Sequence, residues 1–171
     1  MNRPRYFALI AAAAVLVLYG LQPAQAENWS LYKNFSFAKL QLVHPKAFAK
    51  QHVVIQVSQG DPQRWNMVLN NVSKMMKHFG PDNIQIVVVA YGPGLKMLFK
   101  KIKAGERIQA ADRIQGLTAE GVEFDACHVT MEAMKHKIGH LPKLVDSAVV
   151  VPGGIARIMQ LEQHGYNYIK P

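Results

Sequence analysis

The sequence predicts a three-layer α/β domain with a mainly parallel five-stranded sheet. Its strand candidates are short runs that are apolar on both faces, as in residues 53–57 and 84–90, and a parallel sheet buries both of its faces. Between these runs, apolar residues recur at three- and four-residue spacing, which is typical of amphipathic helices. The alternation of the two patterns indicates strand–helix–strand units with helices covering both sides of the sheet.

The first half of the predicted domain contains two strands and three helices. In order, the elements are strand 53–57, helix 62–79, strand 84–90, a short helix over 95–102 and a longer helix over 108–120. Asp61 is a suitable N-cap and Pro62 a suitable first residue for the first helix, and Gly80 followed by Pro81 ends it. Gly105 closes the short helix, so the two helices before the third strand are separate.

The second half contains three strands and two helices. In order, the elements are strand 122–126, helix 130–137, strand 148–151, helix 155–163 and strand 166–169. Gly121 separates the third strand from the helix before it, and residues 152–154 make a tight turn after the fourth strand. Gly165 is the predicted C-cap of the last helix.

The carboxyl ends of the predicted strands are the expected place for a site, because the loops that follow parallel strands gather at one edge of the sheet. These ends carry three glycine-containing turns and the single cysteine. The candidate binding-loop residues are Ser58, Gly60, Tyr91, Gly92, Pro152, Gly153 and Gly154, and the candidate catalytic residues are Cys127 and His128.

Composition and missing motifs exclude several function classes. The chain is 50% apolar and 18% charged, as a soluble globular domain is, and its net charge of +9 comes from scattered basic residues, so no nucleic-acid partner is expected. The glycine turns lack the third glycine of a dinucleotide-binding turn and the Gly-Lys-Ser/Thr of a phosphate-binding loop. G-x-S-x-G, C-x-x-C and H-E-x-x-H do not occur. We therefore expect no cofactor and no multi-thiolate metal site.

Residues 1–26 have the pattern of a secretory signal peptide. Two arginines precede an apolar run over 6–21, and the A-x-A site at 24–26 predicts cleavage after Ala26 and a periplasmic protein without a stable membrane anchor. An uncleaved anchor is the alternative, although the run is shorter than the roughly 20 residues that span a bilayer. Residues 27–51 are then a lead-in that packs on the domain or on a neighbouring subunit, and 52–171 form the α/β domain.

Cys127 is the most distinctive chemical group of the sequence. It ends a strand just before a helix, and the unpaired N–H groups at a helix start favour a thiolate. His128 could modulate the acidity of the thiol by adding positive charge, although neighbouring residues on a strand point to opposite faces. The alternative is a buried structural cysteine that behaves as a small hydrophobic residue.

Three segments together resemble one protein family. They are Gly121-Val122-x-Phe124-x-x-Cys127-x-x-Thr130-Met131, Val151-Pro152-Gly153-Gly154-Ile155-Ala156, and Leu161-x-x-x-Gly165-Tyr166-x-Tyr168-Ile169-Lys170-Pro171. In these segments the chain is similar to the DsrE/DsrF-like sulfur-relay proteins, over about residue 52 to the C-terminus. The resemblance implies a flavodoxin/Rossmann-like DsrE fold that assembles as a homo- or hetero-oligomer, often a trimer or hexamer, and we expect a homo-oligomer. It also implies that Cys127 carries a persulfide and exchanges sulfur with a donor or acceptor protein.

Two other functions are open at this point. Cys127, His128, Met131, Met134, His136 and His140 lie close together in the sequence and are soft ligands of the kind that Cu(I) prefers. Gly139 lies between the last two histidines and could end the helix before His140. Methionines at helical spacing also usually belong to the core. The other alternative is a non-catalytic oligomeric binding module in which Cys127 is inert.

Overall fold

The computed structural model describes residues 35–100 and 110–171. The predicted signal peptide, the first part of the lead-in and the segment around Ile102 and Gly105 lie outside these residues. The described part contains one five-stranded sheet with the order β4-β3-β2-β1-β5, in which every pairing is parallel. Its strands are β1 Gln51–Val57, β2 Ile84–Ala90, β3 Glu123–Cys127, β4 Ala148–Val151 and β5 Asn167–Ile169. The predicted α/β class with a five-stranded parallel sheet is confirmed.

Four α-helices connect these strands. They are α1 Pro62–Phe79, α2 Ala110–Ala119, α3 His128–Ile138 and α4 Gly154–Gln163. Asp61 caps α1 as predicted, since its side chain accepts a hydrogen bond from the Gln63 amide at 2.9 Å. No helix in 35–100 or 110–171 is long and apolar enough to cross a membrane.

The segment after β2 differs from the prediction of a turn followed by an α-helix. Gly92–Leu98 is a single 3-10 helix that begins inside the predicted turn. Gly92 has φ +53°, in the left-handed region that favours glycine. A Cβ on Gly94 would lie 2.3 Å from the carbonyl oxygen of Val57, so only glycine fits there. The two glycines thus allow a tight segment to pack directly on the end of β1.

The start of one predicted helix and the C-cap of another were also wrong. α3 begins at His128 and not at Thr130, because Cys127 has the extended backbone of a cap and no glycine or proline follows it. His128 is therefore the first helical residue and not a strand neighbour of Cys127. At the end of α4 the cap is His164, and Gly165 follows it with φ +83°.

The two faces of the sheet are covered differently. Helices α1, α2 and α3 pack on the first face, with Ile55, Val88 and Phe124. On the second face, Val54 and Val87 pack with residues of α4 and of the described part of the lead-in. Among the described residues, fewer helices cover this face than the first one.

The second face contains buried charges, contrary to the expectation of strands that are apolar on both faces. Along β3, Phe124 and Ala126 belong to the first-face core, whereas Glu123 and Asp125 alternate with them toward the second face. Arg157 of α4 binds both acids, with Nη2 at 2.8 Å from Glu123 Oε1 and Nε at 2.7 Å from Asp125 Oδ2. These residues form the buried ion cluster.

The ion cluster and two buried glutamines hold residues 36–46 of the lead-in, which we call the strap. The bonds run from Arg157 Nη2 to the Gln41 carbonyl at 2.8 Å, from the Val43 amide to Glu123 Oε2 at 2.7 Å, from the Lys46 amide to Gln85 Oε1 at 2.8 Å, and from Gln160 Nε2 to the Ser36 and Lys39 carbonyls. Leu40 and Leu42 of the strap pack on the second-face core. The strap therefore completes the second face.

Substitution of Arg157 by methionine should destabilise the fold strongly. The variant leaves two buried carboxyl groups without a cation, and removing one partner of a buried ion pair costs about 3–5 kcal/mol of unfolding free energy. Urea denaturation measures this loss. The exposed Arg64 of α1 provides the control, because Arg64→Met should change the unfolding free energy by about 0.5 kcal/mol or less. Equal losses in the two variants would contradict a structural role for the ion cluster.

Candidate functional site

Three of the predicted site residues lie in one row across the sheet. Val57 is paired with Ala90, and Ala90 with Ala126. The next residues of these strands, Ser58, Tyr91 and Cys127, therefore follow one another laterally. Side chains alternate along each strand, so all three residues belong to the second face. The expectation that the strand ends bring these residues together agrees with this register.

The loops after β1, β2 and β3 are in contact. A Cβ on Gly60 would lie 3.2 Å from Cβ of Pro93, so the loop after β1 touches the 3-10 helix. The amide of Gly92 donates to Oγ1 of Thr130 at 2.9 Å. This bond ties the segment after Tyr91 to the first turn of α3.

The loop after β4 closes the same edge. Val151 is the register partner of Cys127, and the amide of Val129 donates to the Pro152 carbonyl at 3.3 Å. Gly153 is the N-cap of α4. A Cβ on Gly154 would lie 2.8 Å from Cβ of Tyr91, which is too close for two carbon atoms that are not bonded to each other. Glycine at this position lets the start of α4 lie against Tyr91.

Cys127 lies at the start of α3, at the edge of the sheet where α4 also starts. It is the N-cap of α3. Its register partner on β4 is Val151, and α4 begins three residues later at Gly154. The positive ends of both helices therefore lie at the edge that contains the sulfur, which suits an anion. Cys127 is 5% exposed, so access to it is narrow.

His128 is buried as well and is paired along its own helix. Its Nε2 lies 3.5 Å from Oε1 of Glu132, one turn further along α3. The structure thus gives His128 a partner on α3, and its predicted effect on the Cys127 thiol stays a prediction.

Tyr91 interacts with residues from three strand ends. Its hydroxyl is hydrogen-bonded to the Ser58 side chain and interacts electrostatically with Tyr168 and Cys127. Burial is the main cause that raises the pKa of Tyr91, the negative charges that Tyr168 and Cys127 can carry raise it further, and the bond from Ser58 opposes the rise. Tyr91 therefore stays a neutral hydroxyl at physiological pH.

Asp125 lies two residues before Cys127 on the same face of β3. Its full burial, together with the charge of Glu123, raises its pKa to about 8 in spite of the bond to Arg157. Its Oδ1 has no hydrogen-bond partner among the described residues. One guanidinium thus faces two carboxyl groups, and the extra proton keeps the ion cluster close to neutral.

The ion cluster was not recognised in the sequence, although a signal for it exists. Glu123 and Asp125 occupy alternate positions of a strand that must be buried on both faces, which requires a buried cation nearby. Arg157 is the single basic residue of the helix predicted over 155–163. The spacing of these residues in the sequence does not show that β3 and α4 are in contact.

The structure does not assemble the soft-metal site. Met131 and Met134 pack on the first-face core, whereas Cys127 belongs to the second face. Gly139 caps α3 in a left-handed conformation, so His136 and His140 are not on one continuous helix. Within the described ranges, no group of three or more His, Cys, Asp or Glu residues could hold a metal ion.

A pocket of about 750 Å³ lies between the strap, β4 and α4. Its walls include Leu42, Val150 and the buried Arg157. Pro152 lines this pocket and Cys127 does not. The pocket is therefore adjacent to the candidate site and separate from the sulfur.

Comparison with known proteins gives one family and, among the solved structures, four matching chains that include MTH1491 and the ychN protein. The family model described as the DsrE/DsrF-like family matches residues 51–171. MTH1491, a protein of unknown function from Methanobacterium thermoautotrophicum, is 27% identical with a TM-score of 0.61, covering 71% of this chain and 99% of that one. The ychN protein from E. coli is 16% identical with a TM-score of 0.51 and the same coverage, a likeness of fold alone. No curated protein matches the chain.

The raised pKa of Asp125 predicts a pH-dependent stability. The folded state keeps the proton of Asp125 up to about pH 8, whereas the unfolded chain loses it near pH 4, so the free energy of unfolding falls as pH rises between these values. Urea denaturation from pH 5 to 8 should show a slope of up to about 1.4 kcal/mol per pH unit that Asp125→Asn removes. Asp61→Asn is the control, because asparagine also caps a helix, and it should keep the slope. An unchanged slope in Asp125→Asn would contradict the assignment.

Proposed function

This chain belongs to the DsrE/DsrF-like family, and on that premise we propose that it is a periplasmic sulfur carrier in which Cys127 holds sulfur as a persulfide. The family supports a sulfur-relay function in general. The observation that carries the assignment to Cys127 is its place in the row with Ser58 and Tyr91, at the start of α3 and on the edge where α4 also starts. The signal-peptide pattern of residues 1–26 supports the location.

The transfer step is an exchange between sulfur atoms. The thiolate of Cys127 attacks the outer sulfur of a donor persulfide, and a new S–S bond forms to that sulfur while the S–S bond of the donor breaks. The donor leaves as a thiolate and takes up the proton of the outer sulfur or one from water. The sulfur that moves keeps its oxidation state, so no oxidant or reductant is needed.

The residues around Cys127 suit this step. The sulfur of a persulfide carrier is an anion before and after transfer, and the N–H groups at the starts of α3 and α4 favour negative charge. Cys127 is the single cysteine of the chain. A persulfide on it cannot be discharged by a second thiol of the same chain, so it persists until an acceptor arrives.

The narrow access to Cys127 favours a second candidate function. A thiol that is 5% exposed can be a structural residue, and the chain would then be a non-catalytic oligomeric binding module. Sulfur uptake separates the two functions, because an inert buried thiol takes up none.

We expect purified protein to gain one sulfur atom from a low-molecular-weight persulfide donor. Intact mass should rise by about 32 Da, the mass of one sulfur, on the peptide that contains Cys127, and a reductant should reverse the gain. Cys127→Ser is the control and should show no gain. A wild-type protein whose thiol reacts with an alkylating reagent but takes up no sulfur would contradict the carrier function and leave the binding module.

Self-assembly is part of the proposed function. Val129, Ile155 and Met159 are about half exposed near the candidate site, and apolar residues grouped at a surface are typical of protein interfaces. We expect light scattering to give the mass of three or six chains, as the family resemblance implies. The mass of one chain at micromolar concentration would contradict this expectation.

A further inference from the structure

We propose that the hydroxyl of Tyr91 binds the outer sulfur of a persulfide on Cys127, which makes Tyr91 a positioning residue for the sulfur cargo. This role rests on the proposed carrier function. Tyr91 follows Ala90, the register partner of Ala126, and so stands beside Cys127 on the neighbouring strand and on the same face. Neighbouring strands are roughly 4.8 Å apart, a distance that a tyrosine ring spans easily.

A directed chain of hydrogen bonds ends at this hydroxyl. Tyr168 donates to Oε1 of Gln56, and Nε2 of Gln56 donates to Oγ of Ser58 at 2.9 Å. Because Ser58 Oγ accepts the bond from Gln56, its own proton is free to form a hydrogen bond with the Tyr91 oxygen. The bond between Ser58 and Tyr91 favours negative charge on the Tyr91 oxygen, as expected when Tyr91 is the acceptor. Tyr91 therefore keeps its own proton, which no described residue accepts.

The chain makes that proton a better donor. Each bond polarises the next one, so a hydroxyl that accepts a bond donates more strongly. Since burial and its neighbours keep Tyr91 neutral, its proton remains available to an anion. Among the groups that interact with Tyr91, Cys127 is the one that would carry the persulfide.

The backbone of Tyr91 is held by two hydrogen bonds, and one helix packs against its ring. Its backbone amide donates to the Val57 carbonyl at 3.0 Å, and its carbonyl accepts from the Gly94 amide at 3.1 Å. The start of α4 lies against the ring because Gly154 has no side chain there. The position of Tyr91 beside Cys127 is thus set by the backbone and by the packing of α4.

The outer sulfur is a better match for Tyr91 than the Cys127 sulfur itself. The structure records an electrostatic interaction between Tyr91 and Cys127 and no direct hydrogen bond. A persulfide extends the cysteine by one S–S bond, about 2.05 Å, and places its negative charge on the outer sulfur. A hydroxyl on the neighbouring strand that is not bonded to the thiol is therefore available to the cargo.

Tyr91→Phe tests the inference through the lifetime of the persulfide. Protein loaded with a low-molecular-weight persulfide donor is freed of the donor and exposed to a fixed concentration of glutathione, and the loss of the added sulfur is followed by intact mass. We expect roughly tenfold faster loss in Tyr91→Phe, the effect of one hydrogen bond to an anion. Tyr166→Phe removes a hydroxyl from the second face that does not belong to the chain of hydrogen bonds, and it should keep the wild-type persulfide lifetime. The alkylation rate of unloaded Cys127 should stay within about twofold in both variants.

The outcomes separate this inference from the carrier function. A wild-type protein that alkylates but does not load overturns both. Loading with an equal lifetime in wild type and Tyr91→Phe overturns the role of Tyr91 alone. A parallel change of alkylation rate and persulfide lifetime in Tyr91→Phe would show that the ring supports the fold around Cys127, which also overturns the inference.

Discussion

The contact of Arg157 with Glu123 and Asp125 determines the arrangement of the whole second face. It joins β3 to α4, and Gln160 extends it to the strap. Because α4 is fixed there, its first residues meet Tyr91 and the sulfur-bearing end of β3. The placement of α4 at the candidate site therefore depends on an ion cluster that contains none of the site's reactive atoms, whereas the strand register places Ser58, Tyr91 and Cys127.

The ion cluster buries charged groups in a core, which costs desolvation free energy. Apolar residues of equal volume often stabilise a fold as much as a buried ion pair or more, so its value here lies in orientation. Arg157 directs five N–H groups at fixed angles, and its four hydrogen-bonded partners belong to three parts of the chain, namely β3, α4 and the strap. An apolar residue could cover the second face without fixing the rotation of α4, and the loop before Gly154 would then not be held over Tyr91.

Much of the architecture could be predicted from the sequence, because strand and helix signals are local. The apolar runs, the cap at Asp61 and the turns at the strand ends gave the parallel sheet and the edge that holds Cys127. The start of α3 at His128 could not be predicted, since a cap without glycine or proline leaves a weak signal. The ion cluster and the chain from Tyr168 to Tyr91 depend on strand order and register, which are set by contacts between residues far apart in sequence.

The central claim is that the end of β3 on the second face is a place where sulfur is bound, and a crystal structure of the persulfide-loaded protein tests it most directly. The account predicts one additional atom bonded to Sγ of Cys127, lying at the edge between the start of α4 and the ring of Tyr91, within hydrogen-bond distance of its hydroxyl. A loaded protein whose added sulfur lies elsewhere, or whose Cys127 thiol is unchanged and enclosed by the first-face core, would contradict it.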